Sequence, residues 1–284
     1  MLPRPFCPHP NPPRLHRRKR VTIIAGFQCT DGMLLCADTE QSLGNESKSQ
    51  AHKIQVLHLE NLKAAVGGSG DAPLCDYVTR GIFERLTHCR NDINEIEHEL
   101  TTYCKKIFNE NIRVWRGFPK ELIPDVSFLI AISSTNGSRM FKWETNLFLP
   151  LHQQRHSSIG VGVLQSETLI EDIQFYYPSR QMLFFAIRMM QKVKQLVQGC
   201  GGKTEVVFLA NGGKVAWRPG VFEIDKIEHV SAMADEFINY YALSFISGVV
   251  DKNMPNDESA FQVHKEALLK LRKDYLELLP DAMR

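Results

Sequence analysis

"RLHRRKRVTIIAGFQCTDGMLLCADTE", residues 14–40, changes character in its middle. A basic run ends at Arg20, and an apolar, β-branched run begins at Val21 and Thr22. "VTIIAGFQC", then "TDG", then "MLLCAD" reads as strand, tight turn and strand, with Asp31-Gly32 as the turn signal. A threonine heads the first strand, directly behind a segment with no apolar periodicity.

Working outward from that junction, residues 1–20 carry six prolines and are expected to be disordered. The whole chain has 284 residues, 43% hydrophobic and 23% charged, which is enough for one large domain with a substantial core. The net charge of +2 owes much to Arg14, Arg17, Arg18, Lys19 and Arg20, so the remainder is near neutral and nucleic acid is not an expected partner. No apolar run is long enough for a membrane span, and no apolar segment joins the basic residues to a cleavage site, so neither membrane nor secretion is expected. The seven cysteines show no CxxC pairing and the histidines no HxxxH or HExxH pattern. Reduced thiols, a cytoplasmic location and no metal site are the expectation.

Downstream, "KIQVLHL" and "LKAAVGG" read as a second hairpin and "QSLGNESKSQ" as a polar loop between the two. Helices are expected over 72–88, with Asp71 as N-cap, and over 93–112, with Asn91 or Asp92. A second set of strands follows in "DVSFLIAISS", "SRMFKWET", "NLFLPL" and "SSIGVGV", then helices near 165–175 and 179–198. In the latter, Met182, Phe185, Ala186, Met189, Met190, Val193 and Leu196 form a core-facing stripe at helical spacing. "TEVVFLA" and "KVAWRP" make another hairpin, and helices near 230–249 and 257–279 end the chain. Strands and helices come in blocks. This predicts an α+β architecture, a four-layer α-β-β-α sandwich with two antiparallel sheets face to face.

Thr22, Gly26, Asp31-Gly32 and Asp38 stand at fixed spacings, with Lys53 and Gly67-Gly68 downstream. "TIIAGFQCTDGMLLCAD" resembles the opening of the proteasome β-subunit family and its bacterial proteasome-like relatives, the N-terminal-nucleophile hydrolases. "SQAHKI", Ser49 to Ile54, resembles the lysine motif of that family but is one residue shorter, and "VGGSGD", Val66 to Asp71, resembles its glycine motif. The resemblance is strongest over residues 22–90 and persists in "SIGVG" and "GCGG".

The resemblance implies an N-terminal-nucleophile fold, threonine-type endopeptidase activity and four site residues: Thr22, Asp38, Lys53 and Gly67. Such a set has a physical rationale. A threonine hydroxyl is a poor nucleophile near neutral pH and needs a base beside it. As a first residue, Thr22 would offer its own α-amino group, of ordinary pKa about 8. Lys53 would lower the pKa of amine and hydroxyl, Asp38 would orient and neutralise Lys53, and the Gly67 N–H would hold the oxyanion. No cofactor is called for.

Thr22 would reach the terminus either by autolysis after Val21 or by translation starting at Val21, which gives Met-Thr; the second route is preferred. Residues 1–21 are then a leader, 22–250 the catalytic domain and 251–284 a helical extension that is a candidate assembly element. The implied partners are unfolded polypeptides, further copies in a ring or barrel, and an ATP-driven unfoldase. Val161, Val197 and Cys200 stand where the resemblance leads one to expect serine, aspartate and serine. That difference supports an alternative reading as a non-catalytic ring subunit, with Cys200 otherwise a weak substitute.

Overall fold

The hairpin at the head of the folded chain forms as its turn residues require. β1 (Ile23–Gln28) and β2 (Gly32–Asp38) run antiparallel, with Ile24 opposite Ala37. The computed structural model describes residues 22–246, apart from 44–46, 116, 120–122, 145–146, 153 and 172–175, together with 266, 269–270, 272–279 and 283. The leader expected over 1–21, and most of the extension expected over 251–284, lie outside the described residues.

After the hairpin come β3 (Glu40–Leu43), β4 (Ser47–Gln50), β5 (Ile54–His58) and β6 (Leu62–Gly70), then α1 (Ala72–His88) and α2 (Ile93–Ile107). The second block holds β7 (Val126–Ser134), β8 (Gly137–Glu144), β9 (Leu147–Pro150) and β10 (His156–Gly160). It is followed by α3 (Val163–Ile170), α4 (Ser179–Leu196), β11 (Thr204–Ala210), β12 (Ala216–Trp217) and α5 (Val221–Ile246). Two five-stranded sheets result, ordered β10-β1-β2-β11-β12 and β5-β6-β7-β8-β9, and every pairing is antiparallel.

Strand alternation sorts the apolar residues into three layers of core. Ile24, Leu35, Val207, Ala65, Leu129 and Met140 point between the two sheets. The opposite faces of β1, β2 and β11, through Ile23, Leu34, Cys36, Val206 and Phe208, pack on α4 and α5. Leu62, Val66, Phe128, Ile130, Phe141 and Trp143 pack on α1 and α2. The layers therefore run helix, sheet, sheet, helix, as blocked strands and helices demand. Within α4 the stripe is buried at Met182, Ala186, Met189, Met190 and Val193, but Leu196 is exposed. Near the C-terminus, Leu279 and Met283 are buried against the same face as α4.

Three segments differ from the sequence expectation. The polar loop after Asp38 is a two-stranded ribbon, β3 with β4. Ladder hydrogen bonds join backbones whatever the side chains, so hydrophobic patterning does not report such a ribbon. The helix expected from about 230 starts at Val221, because Glu223 reaches back to accept from the Gly220 N–H at 2.7 Å and closes the first turn. The helix expected to 112 ends at Ile107 and widens into a π-helical turn, Phe108–Ile112.

Candidate active site

Both sheets contribute to one cluster at their ends. Thr22 precedes β1, Asp38 ends β2, and Lys53 precedes β5 on the facing sheet. The hairpin register carries Asp38 back beside Thr22, since Ile24 pairs with Ala37. Lys53 crosses from the other layer. Its Nζ donates to Thr22 Oγ1 at 2.5 Å and to Asp38 Oδ1 at 2.7 Å. The Thr22 hydroxyl in turn donates to Asp38 Oδ1 at 2.7 Å. That same oxygen accepts from the Ile23 N–H at 3.0 Å, while Oδ2 accepts from the Gly201 N–H at 3.2 Å. Asp38 is fully buried and Thr22 nearly so, but Lys53 keeps 11% of its side chain exposed and connects the cluster to solvent.

The backbone of Thr22 is held from both sides. Its carbonyl accepts from the Val161 N–H at 2.9 Å. It also lies so close to Gly160 that a Cβ there would stand 2.2 Å from the Thr22 oxygen. Gly160 has φ +97°, a conformation that costs little only for glycine. The sequence "SSIGVG" is thus a seat for Thr22.

Electrostatics follow from burial. Desolvation pulls the Lys53 pKa below its usual value, and Asp38 opposes this with its charge and hydrogen bond. Burial, together with the Asp38 charge, pushes the Cys200 thiol up to about 12, so it is present as the neutral thiol near neutral pH. The exposed isopropyl group of Val161 offers no hydrogen bond to a group at Thr22.

Of the residues singled out in the sequence, Thr22, Asp38 and Lys53 are in mutual contact. Gly67 lies on β6 opposite Ile54, one residue past Lys53, and a Cβ on it would meet Ile24 Cγ2 at 2.8 Å. The neighbouring Gly68 N–H donates to the Lys53 carbonyl at 3.4 Å. Two participants were not found from sequence. One is the Gly201 N–H. The other is Glu205, whose carboxylate accepts from the Lys53 N–H at 2.8 Å. A lone charge inside the apolar run "TEVVFLA" is the signal that marks it. Among the described residues, no group of three or more His, Cys, Asp or Glu side chains is arranged to hold a metal ion. Nor is any helix among them long and apolar enough to cross a membrane.

No family model matches the chain, and no curated protein matches it. Solved structures do. The structure of Anbu (ancestral beta-subunit) from Yersinia bercovieri superposes with a TM-score of 0.63 at 14% identity, covering 78% of this chain and 97% of that one. The Anbu (Gly-1) mutant from Hyphomicrobium sp. strain MC1 gives 0.63 at 10% identity, covering 78% and 96%. The helical assembly of the Anbu complex from Pseudomonas aeruginosa gives 0.60 at 10% identity, covering 77% and 96%. The resemblance to the proteasome β-subunit and bacterial proteasome-like peptidase family is therefore corrected: the matches are to Anbu, distant in sequence, with no family model behind them. They share a fold with this chain. Short motifs in a tight hairpin follow the geometry of that fold, and so they read as a family while identity elsewhere is low.

Proposed function

We propose that the protein is an N-terminal-nucleophile hydrolase, a threonine-type endopeptidase working as one subunit of a proteasome-like, self-compartmentalising particle. The observation that carries this reading is the buried contact of Thr22 Oγ1 with Lys53 Nζ and Asp38 Oδ1. A threonine in a structural role needs no lysine and carboxylate desolvated around its hydroxyl; burying such a pair carries a desolvation cost, and arrangements of this kind cluster at functional sites.

In the proposed mechanism Thr22 is the first residue of the working chain. Its α-amino group takes the hydroxyl proton, and Oγ1 attacks the carbonyl carbon of the scissile peptide. The carbonyl π electrons move to oxygen, where the Gly67 N–H is assigned to stabilise them. Collapse expels the amine half of the peptide, which receives the proton from the α-ammonium, and leaves an ester on Thr22. Water, deprotonated by the same amine, then hydrolyses the ester. Lys53 as an ammonium stabilises the developing oxyanionic character on Oγ1, and Asp38 holds Lys53 in place.

The fold shared with Anbu, one example of which is described as a helical assembly, supports association of many copies. Unfolded polypeptide is the proposed substrate, supplied by an ATP-driven unfoldase in the cytoplasm. A second reading, an assembling subunit without activity, is favoured by Val161, which places an apolar side chain beside Thr22 where a hydroxyl would hold the amine. The deciding experiment is reaction of the purified protein with a β-lactone or epoxyketone probe, followed by peptide mapping. Probe mass on a peptide that begins at Thr22 is the expected result. No adduct, either on the full chain or on one translated from Met-Thr22, would replace the peptidase reading with the second one.

A further inference from the structure

Lys53 reaches Thr22 and Asp38 across the gap between the sheets, so its backbone must be fixed relative to a sheet to which it does not belong. β5, which it precedes, is an outermost strand, and among the described residues no strand is hydrogen-bonded to its outer side. Glu205 fills that side. One carboxylate oxygen, Oε2, accepts from the Lys53 N–H at 2.8 Å and from the Ile54 N–H at 3.3 Å. The other, Oε1, meets Arg218 at 3.0 Å and His52 Nδ1 at 3.1 Å. Arg218 also donates to the Ile54 carbonyl. Glu205 itself sits on β11 opposite Ala37, the residue before Asp38.

We propose that Glu205, held by Arg218, is the positioning residue for Lys53: it ties the backbone of the lysine to the strand pair that carries Asp38, and so sets the reach of Nζ to Thr22. The role rests on the threonine-nucleophile reading given above. A plain link between layers would not require a carboxylate. The Glu205 side chain is only 3% exposed, and an apolar residue there would join the sheets without burying a charge. What the carboxylate adds is direction, because it accepts two consecutive amides at the point where the chain turns into β5. Misplacing a catalytic group by about 1 Å can reduce a rate by about a hundredfold, so the backbone hold bears directly on chemistry.

The test compares the full chain with its Glu205→Gln and Arg218→Gln variants, using two readouts on folded protein. The first is the titration of Lys53, followed by competitive labelling with acetic anhydride across pH and peptide mass mapping. The second is the rate of Thr22 acylation by a β-lactone. Freed from its hold, Lys53 moves toward solvent, and its midpoint rises toward the ordinary 10.5 as the desolvation that depresses it is relieved. Thr22 acylation slows by about tenfold or more. A folded Glu205→Gln protein in which the Lys53 midpoint is unmoved overturns the proposal, whatever the acylation rate. Should that variant fail to fold, Arg218→Gln, at a side chain 36% exposed, is judged by the same criterion. If Thr22 takes no label in any form, in the full chain or in one translated from Met-Thr22, the nucleophile reading falls, and the Lys53 titration alone decides whether Glu205 positions the lysine.

Discussion

Asp38 Oδ1 accepts from Thr22, Ile23 and Lys53 together, so the nucleophile, its backbone and its cation share one atom. Lys53→Ala is expected to leave the fold intact and remove nearly all Thr22 acylation, measured with the β-lactone probe. Lys53→Arg should not restore it, because a planar guanidinium cannot occupy the site of a compact ammonium. The pH profile separates two roles for the lysine. Its pKa lies below 10.5, so the ammonium is present at low pH and is lost as pH rises through the lowered midpoint. If the ammonium is the working form, acylation falls on an alkaline limb placed below pH 10.5. A rate that instead rises through that midpoint would assign neutral Lys53 as the base. Gly160→Ala tests the seat of Thr22. Left-handed backbone and a close approach to the Thr22 carbonyl oxygen should cost about 1–3 kcal/mol in urea unfolding, with slower acylation in the folded fraction.

At the scale of elements, α4 begins at Ser179 behind Pro178, which supplies no side-chain cap. The cap comes from the first hairpin: Asp31 accepts from the Ser179 N–H at 2.8 Å and from its hydroxyl at 2.6 Å. Asp31→Ala should therefore lower stability by about 1 kcal/mol through α4, visible as a lower urea midpoint, while the contacts among Thr22, Asp38 and Lys53 remain. The Asp31-Gly32 turn was legible in the sequence because turn chemistry is local, and the capping role was not, because its partner is distant in the chain. The same division holds for the site. Thr22 and Asp38 are joined by a hairpin whose register the tight Asp31-Gly32 turn sets, whereas Glu205 approaches Lys53 from a strand far along the chain. Local spacing records the first kind of neighbour and is silent on the second. The β3–β4 ribbon escaped for another reason: a ladder of backbone bonds leaves no hydrophobic mark.

For the whole molecule, every hydrogen bond described at Thr22 uses its carbonyl, its side chain or the next amide, and none uses what precedes it. A chain translated from Met-Thr22, with the methionine removed, is expected to fold with the same melting temperature and the same particle size by light scattering as the full chain. Aggregation of the shorter chain alone would place residues 1–21 within the folding unit. The two connections that bring the cluster together differ in another respect. Thr22 and Asp38 are spaced by a tight turn, where one inserted residue would flip every side chain beyond it to the opposite face. Asp38 and Lys53 are spaced by the β3–β4 ribbon, and the end of that span is pinned independently at the Lys53 amide. Over evolutionary time the first interval is a ruler of fixed length and the second an adjustable one, open to insertions and deletions that leave the chemistry where it was.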